Sequence, residues 1–291
     1  MSMKGIDVSK WQGVINWNAV KASGIQFAIL KAGGSDKGFY KDPYFERNYA
    51  GARNAGIHVG AYYFVGPGCK SKADGEADAR RFLAFLSGKQ FDMPVYIDFE
   101  APNTTNKNGN TDACIGFCRV MEKAGYFAGI YASDLSGFHD KLNRDSLKPF
   151  TWWVARYGSK CTWATANLGI WQYSSTGRVN GISGNVDMDE CYIDYPSVIK
   201  NKGLNGYRTG TKTAAPVTKP VAPKPANKPS ASSAIKVGDR VKVINPITWT
   251  GQRFKLWYNT YTVMELHGQR AVIGVNGTVT AAISVRNLRK V

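Results

Sequence analysis

The sequence is poor in the residues that build metal and redox centres. Its three histidines, His58, His139 and His267, are scattered, and its five cysteines are odd in number, irregularly spaced and without a CxxC pair. A zinc site, a redox pair and a disulfide framework are therefore all unexpected, and free thiols suit a reducing cytoplasm. Cys114 and Cys118, four apart on an expected helix, read as small apolar packing residues. No run of 18 apolar residues occurs, so no membrane insertion is expected. The start, "MSMKGIDVSKWQG", lacks a charged segment followed by an apolar one, so the expectation is synthesis in a cytoplasm without a secretory signal. The "KAGG" at residues 31–34 is too short for a phosphate loop, and no cofactor is expected.

What is present in excess is positive charge, +17 over 291 residues, and it is unevenly placed. Residues 1–201 hold 23 Lys and Arg against 19 Asp and Glu, a balance of +4. Residues 202–234 carry six basic and no acidic residues, and residues 235–291 nine basic and two acidic, giving +6 and +7. A basic tail on a nearly balanced body points to an anionic partner, such as a polyanionic cell surface or nucleic acid.

The segment "GTKTAAPVTKPVAPKPANKPSASS" has almost nothing to bury and reads as an extended linker over residues 203–234, between a body of residues 1–202 and a module of residues 235–291. In the body, eight apolar strand-like runs are visible: "KGIDVS", "IQFAILKAG", "IHVGAYYFVG", "MPVYIDFE", "YFAGIYAS", "FTWWVARYG", "LGIWQYSS" and one around "NVDMDECYI". Amphipathic stretches separate the first five. This alternation predicts an α/β fold, a TIM-like β/α barrel. The last three runs lie too close for full crossover helices, so the barrel should be irregular, with fewer than eight helices and room for an antiparallel strand. After the linker, short alternating runs split by Gly, Asn and Pro predict a small all-β barrel of about five strands.

In a β/α barrel the carboxyl ends of the strands carry the chemistry. "MPVYIDFE" ends in Asp98 and Glu100, whose i, i+2 spacing on a strand puts them on one face with Cα atoms about 6.7 Å apart. Like charges that close favour one ionised and one protonated member. Asp7, Lys31, Tyr62, Phe64, Tyr131, Gln172, Tyr173 and Asp187 fall at other strand ends, giving an acidic, aromatic-lined mouth. Two carboxylates among aromatic rings suit glycoside cleavage, one acid protonating the leaving oxygen while another carboxylate supports a cationic sugar. Lys31 and Arg156 read either as ion-pair partners of the acids or as substrate contacts. Tyr62, Phe64, Tyr131 and Gln172 read as substrate contacts or as barrel filling, and Trp153 and Trp171 as core.

The ordered set "GIDVSKWQG", "GAYYF", "PVYIDFE", "GIYAS", "WVARYG" and "WQYSSTGRVNGISGNVDMD" over about residues 3–197 resembles glycoside hydrolase family 25, the lysozymes of bacteria and phages. The resemblance implies a peptidoglycan hydrolase, a muramidase cleaving the β-1,4 bond from N-acetylmuramic acid to N-acetylglucosamine. It implies Glu100 as proton donor, Asp98 as second catalytic carboxylate, and Asp7 and Asp187 completing the cluster. Whether Asp98 attacks, directs a water or orients the substrate's acetamido group stays open; a pair on one strand favours the last. Two departures are visible: Tyr63 where relatives often have His, which matters little if it faces the helices, and Asp189 where they often have Asn. Residues 235–291 more loosely resemble a bacterial SH3-like wall-binding module, which implies binding of wall peptides or polymers. Trp249, Trp257, Tyr258 and Tyr261 are its candidate contacts, and at least two of them are expected in the core. Together these features suggest a phage-type endolysin acting on the wall after release from the host cytoplasm. The alternatives are a chitinase- or glucosaminidase-like enzyme, or a non-catalytic protein that binds walls or nucleic acid; nucleic acid is not the expected partner.

Overall fold

The computed structural model describes residues 2–103, 105–163, 167–208 and 235–291. Eight strands close a barrel: β1 (Met3–Val8), β2 (Phe27–Gly34), β4 (His58–Phe64), β5 (Val95–Asp98), β6 (Ala128–Ser133), β7 (Thr151–Ala155), β8 (Leu168–Gly177) and β9 (Val186–Cys191), with β1 pairing both β2 and β9. A two-residue strand, β3 (Tyr40–Lys41), hairpins against the end of β2. All barrel pairings are parallel except those of β9, which runs antiparallel to β8 and β1. The span between β8 and β9 is too short for a crossover helix, so the chain must turn straight back.

Helices α1 (Trp17–Ala22), α2 (Phe45–Asn54), α3 (Lys72–Leu86), α4 (Lys107–Lys123), α5 (Arg144–Leu147) and α6 (Tyr195–Lys202), with a 3-10 turn at Lys10–Gln12 and a π-helical turn at Asp134–His139, are the helical elements of the body among the described residues. Their ends are legible in chemistry. Ser71 caps α3 by accepting from the Asp74 N–H, and Asp194 caps α6, with Pro196 in its first turn and Gly203 in the left-handed region at its end. Helices α3 and α4 pack backbone to backbone: a Cβ on Gly75 would lie 1.9 Å from the Ala113 carbonyl oxygen. Among the described residues no helix is long and apolar enough to cross a membrane.

Side chains alternate along each strand, so the barrel has two cores. Tyr63 and Ile97 face outward into a layer with Phe82 and Phe117 of the helices. Tyr62, Tyr96, Tyr131 and Trp153 face inward, and Tyr195 and Ile199 of α6 plug the barrel base beneath them. Tyr63 packs beside Phe82 and Phe117 and donates to Asp78 Oδ1 at 3.3 Å, so the departure at this position stays out of the barrel interior. Cys114 and Cys118 are buried free thiols on α4.

The packed body runs past Lys202, the boundary expected from composition. Asn205 is fully buried with φ 55°, its Oδ1 accepting from the Phe127 N–H at 2.7 Å and its Nδ2 donating to the Met93 carbonyl at 2.8 Å. Tyr207 donates to Asp92 at 2.8 Å. Residues 204–207 therefore satisfy backbone groups at the barrel base rather than starting a linker, and residues 209–234 of the expected linker lie outside the described residues.

The C-terminal residues form a five-stranded antiparallel sheet of β10 (Arg240–Val243), β11 (Tyr261–His267), β12 (Arg270–Val275), β13 (Thr278–Ser284) and β14 (Leu288–Lys290), in the order β13-β12-β11-β10-β14. Val241, Tyr261, Val263, Ile273 and Ile283 fill its core. Arg270 is 2% exposed and reaches Glu122 of α4, its Nε 3.3 Å from Oε1, which satisfies a charge that could not be buried alone.

Candidate active site

Strand β5 ends at Asp98, but the chain stays extended beyond it: the Phe99 N–H donates to the Tyr131 carbonyl at 2.9 Å. Phe99 is buried on the helix side, so the alternation carries Asp98 and Glu100 to the same mouth. Register brings the remaining groups level with them. Phe64 pairs with Asp98, Asp98 with Tyr131, and Asp7 with Asp187. Asp187 was expected at a strand's carboxyl end. It stands instead near the start of β9, and the reversed direction of that strand is what delivers it to the mouth.

These residues line a cleft of about 250 Å³ together with Lys31, Tyr62 and Gln172. A hydrogen-bonded chain crosses its floor: Tyr131 donates to Gln172 Oε1 at 3.0 Å, and Gln172 Nε2 donates to Asp7 Oδ2 at 2.7 Å. Lys31 lies inside β2 rather than at its end, its Nζ 4.4 Å from the centre of the Phe64 ring.

The acids raise one another's affinity for protons. Burial, then the Glu100 carboxylate beside it, pushes Asp98 well above the usual carboxylate range, with Lys31 opposing. Asp98 Oδ1 is buried with no hydrogen-bond partner among the described residues. Burial and the charges of Asp189 and Asp187 push Asp7 up, against the Gln172 hydrogen bond. Burial and Glu100 bring Asp187 to about 6. Among the described residues no group of three or more His, Cys, Asp or Glu side chains is arranged to hold a metal ion.

Several expected contacts differ in the structure. Arg156 does not line the cleft; its guanidinium pairs with the buried Asp134 carboxylate, which also accepts from Trp163 Nε1 at 2.6 Å. Arg156 directly follows the inward-facing Ala155, so the alternation turns it outward, to a buried acid outside the barrel. In the C-terminal sheet, Tyr261 is 1% exposed in the core, accepting through its hydroxyl from the Trp257 and Tyr258 N–H groups. Trp249 packs against the barrel base, with Lys202 Nζ 3.5 Å from its ring centre. Trp257, 69% exposed, and Tyr258 line a groove with Lys242 and Leu256, with Lys255 Nζ over the Trp257 ring and Tyr258 edge-on to Tyr261.

The cleft also holds residues that the strand-end reading passed over. Trp153 forms its floor, and Tyr157, Ser9, Gln12 and Trp11 complete its wall. Trp11 is 78% exposed on a turn at Lys10–Gln12, which a reciprocal Ser9–Gln12 capping box and the Lys10 N–H bond to Asp42 hold in place. The signal lay in "SKWQG", where Ser and Gln three apart form a capping box and leave the Trp outward.

The family model for Glycosyl hydrolases family 25 matches residues 6–182. Lysozyme M1 of Streptomyces globisporus is 33% identical, over 65% of this chain and 67% of its own length. The crystal structure of the bacterial lysozyme from Streptomyces coelicolor is similar with a TM-score of 0.50 at 32% identity, covering 64% of this chain and 90% of that one. The CTP1L endolysin structure is similar with a TM-score of 0.59 at 26% identity, covering 68% of this chain and 70% of that one.

Proposed function

This chain belongs to Glycosyl hydrolases family 25, and from that premise we propose that its barrel is a muramidase, cleaving the β-1,4 bond from N-acetylmuramic acid to N-acetylglucosamine in peptidoglycan. The observation that carries the reading is the Asp98–Glu100 pair in one aromatic-walled cleft, where the Glu100 carboxylate raises the proton affinity of the buried Asp98. Glu100, the exposed member, gives its proton to the bridging oxygen as the bond to the anomeric carbon breaks. Beside it, Lys31 favours the negative charge of Asp98 that burial and the Glu100 carboxylate oppose. Both acids then stand on one side of the sugar, which suits attack by the substrate's own acetamido oxygen, oriented by Asp98. Water opens that intermediate and returns a proton to Glu100. Asp7 and Asp187 hold the polar wall opposite, and Trp11 offers a flat face to a neighbouring sugar.

The C-terminal sheet is read as an SH3-like wall-binding module and the chain as an endolysin of phage type. The exposed Trp257 and Tyr258 beside Lys242 support this, since exposed aromatics clustered in a groove mark interaction sites. Digestion of purified peptidoglycan followed by reduction and mass analysis tests the activity. New muramitol ends are expected; glucosaminitol ends would reassign the bond cleaved, and no new ends would overturn the enzyme reading.

A further inference from the structure

Between the barrel base and the C-terminal sheet lies a cavity of about 620 Å³, at the end of the barrel away from the proposed chemistry. We propose that this cavity is an anion site for a phosphate group carried on a sugar or polyol, and that its occupant ties the sheet to the barrel. It shares no residue with the acidic cleft or with the Trp257 and Tyr258 groove, and it stands or falls independently of the proposed activity.

Both parts of the chain build its walls, and junctions of this kind are common places for ligand sites. The body supplies Lys123 at the end of α4, Tyr126, Lys202 at the end of α6, and Leu204 just beyond it. The C-terminal part supplies Trp249 and Arg270, the first residue of β12.

Positive charge is in excess around this space. Arg119, Lys123, Lys202 and Arg270 stand against the carboxylates of Glu122 and Glu265, and His267 Nε2 lies 3.5 Å from Glu265. Glu122 is divided between two guanidiniums, with Arg119 Nη1 2.6 Å from Oε2 and Arg270 Nε 3.3 Å from Oε1. Glu265 is engaged by Arg119. Neither Lys123 nor Lys202 has an ion-pair partner among the described residues. Lys202 gives one proton to the Trp249 carbonyl, with Nζ 3.5 Å from the centre of the Trp249 ring, and its other ammonium protons are left for an acceptor. Arg270 is 2% exposed, and its buried Nε completes no aligned hydrogen bond among the described residues. A buried donor without an acceptor and a cation without a counter-charge are both costly, and an anion in the cavity relieves both. Burial, then Arg270, lowers the Lys202 ammonium to about 7, the direction expected of a cation short of a counter-charge.

The donors favour phosphate over carboxylate. Lys123, Lys202 and Arg270 reach the cavity from α4, α6 and β12, an arrangement that suits the oxygens of a tetrahedral group better than the two coplanar oxygens of a carboxylate. The surplus of cations also suits a phosphate monoester, which carries about −1.5 to −2 at neutral pH. Tyr126, Leu204 and Trp249 add apolar and aromatic wall, which a carbon skeleton fills and inorganic phosphate does not.

Isothermal calorimetry on the full chain tests the site with sn-glycerol 3-phosphate, diglycerol phosphodiester, inorganic phosphate and N-acetyl-alanyl-alanine as probes. One of the glycerol esters should bind about tenfold more tightly than inorganic phosphate, from burial of its carbon skeleton, and more tightly than the peptide carboxylate. Preference for the monoester supports a small phosphorylated ligand as the source, and preference for the diester supports a phosphate polymer. Lys202→Gln should weaken that binding about tenfold, the size expected when a hydrogen bond to a charged group is lost. Lys123→Gln, at an exposed position where the fold tolerates the change, should weaken it about threefold. No binding of either ester, equal binding of inorganic phosphate, tighter binding of the peptide, or native affinity in both variants would overturn the proposal. Calorimetry reads the site whether or not the chain cleaves peptidoglycan, so failure of the muramidase reading would leave this result standing.

Discussion

The two ends of the barrel use the same residue type in opposite ways. At the base, burial pulls Asp92 upward, but hydrogen bonds from His58, Lys200 and Tyr207 outweigh it and hold the carboxyl well below its usual range. Arg53 adds a guanidinium 3.4 Å away. At the mouth, burial and then neighbouring carboxylates raise all three of Asp7, Asp98 and Asp187, with Glu100 the neighbour of the last two. Partnered acids stabilise the fold, whereas crowded acids hold protons at the expense of stability. That separation is what a barrel with its chemistry at one end would be expected to show.

The largest effect that would sharpen the contrast is at the mouth. Glu100→Gln should lower peptidoglycan hydrolysis by about 10²- to 10⁴-fold, the contribution of a general acid, with unchanged thermal unfolding. At the base the pattern should invert: Asp92→Ala should leave kcat near native and lower stability by about 2 kcal/mol, from hydrogen bonds to a charged group. Equal damage to activity from both variants would break the comparison.

Binding to the wall belongs to neither end. A Trp257→Ala, Tyr258→Ala double variant should bind purified walls about tenfold more weakly, as expected for exposed aromatic anchors, and hydrolyse soluble glycan fragments at the native rate. The smallest effect concerns Asp187. Its folded pKa, about 6, lies above that of an unfolded aspartate. Its contribution to stability is therefore fully present below the unfolded pKa and is lost as pH rises through about 6. Thermal unfolding of Asp187→Asn should fall less than that of the native protein between pH 4 and pH 8. Asp92 has the opposite sign, its stabilisation being lost only as the solution becomes strongly acidic.

The alternating strands, the antiparallel return near the end and the meeting of Asp7, Asp98, Glu100 and Asp187 were readable from periodicity and strand ends, because inward and outward positions repeat every two residues. Arg156 was misplaced for want of a view of Asp134, a partner 22 residues away in sequence that only folding brings close. Residues 204–207 look like linker in composition, since their role is backbone satisfaction by Asn205, which hydrophobicity does not register. Trp11 was hidden in a turn whose capping box fixes orientation rather than burial. Trp249 read as a candidate wall contact and is packed on the barrel base, a contact between segments far apart in sequence.

The contrast between the two ends is tested most directly by titrating the side-chain carboxyls of protein labelled with ¹³C-aspartate, assigned through Asp187→Asn and Asp92→Asn. Asp187 is expected to titrate near 6 and Asp92 well below the ordinary carboxylate range. Both titrating together at the value of an unfolded aspartate would contradict the division of labour between mouth and base.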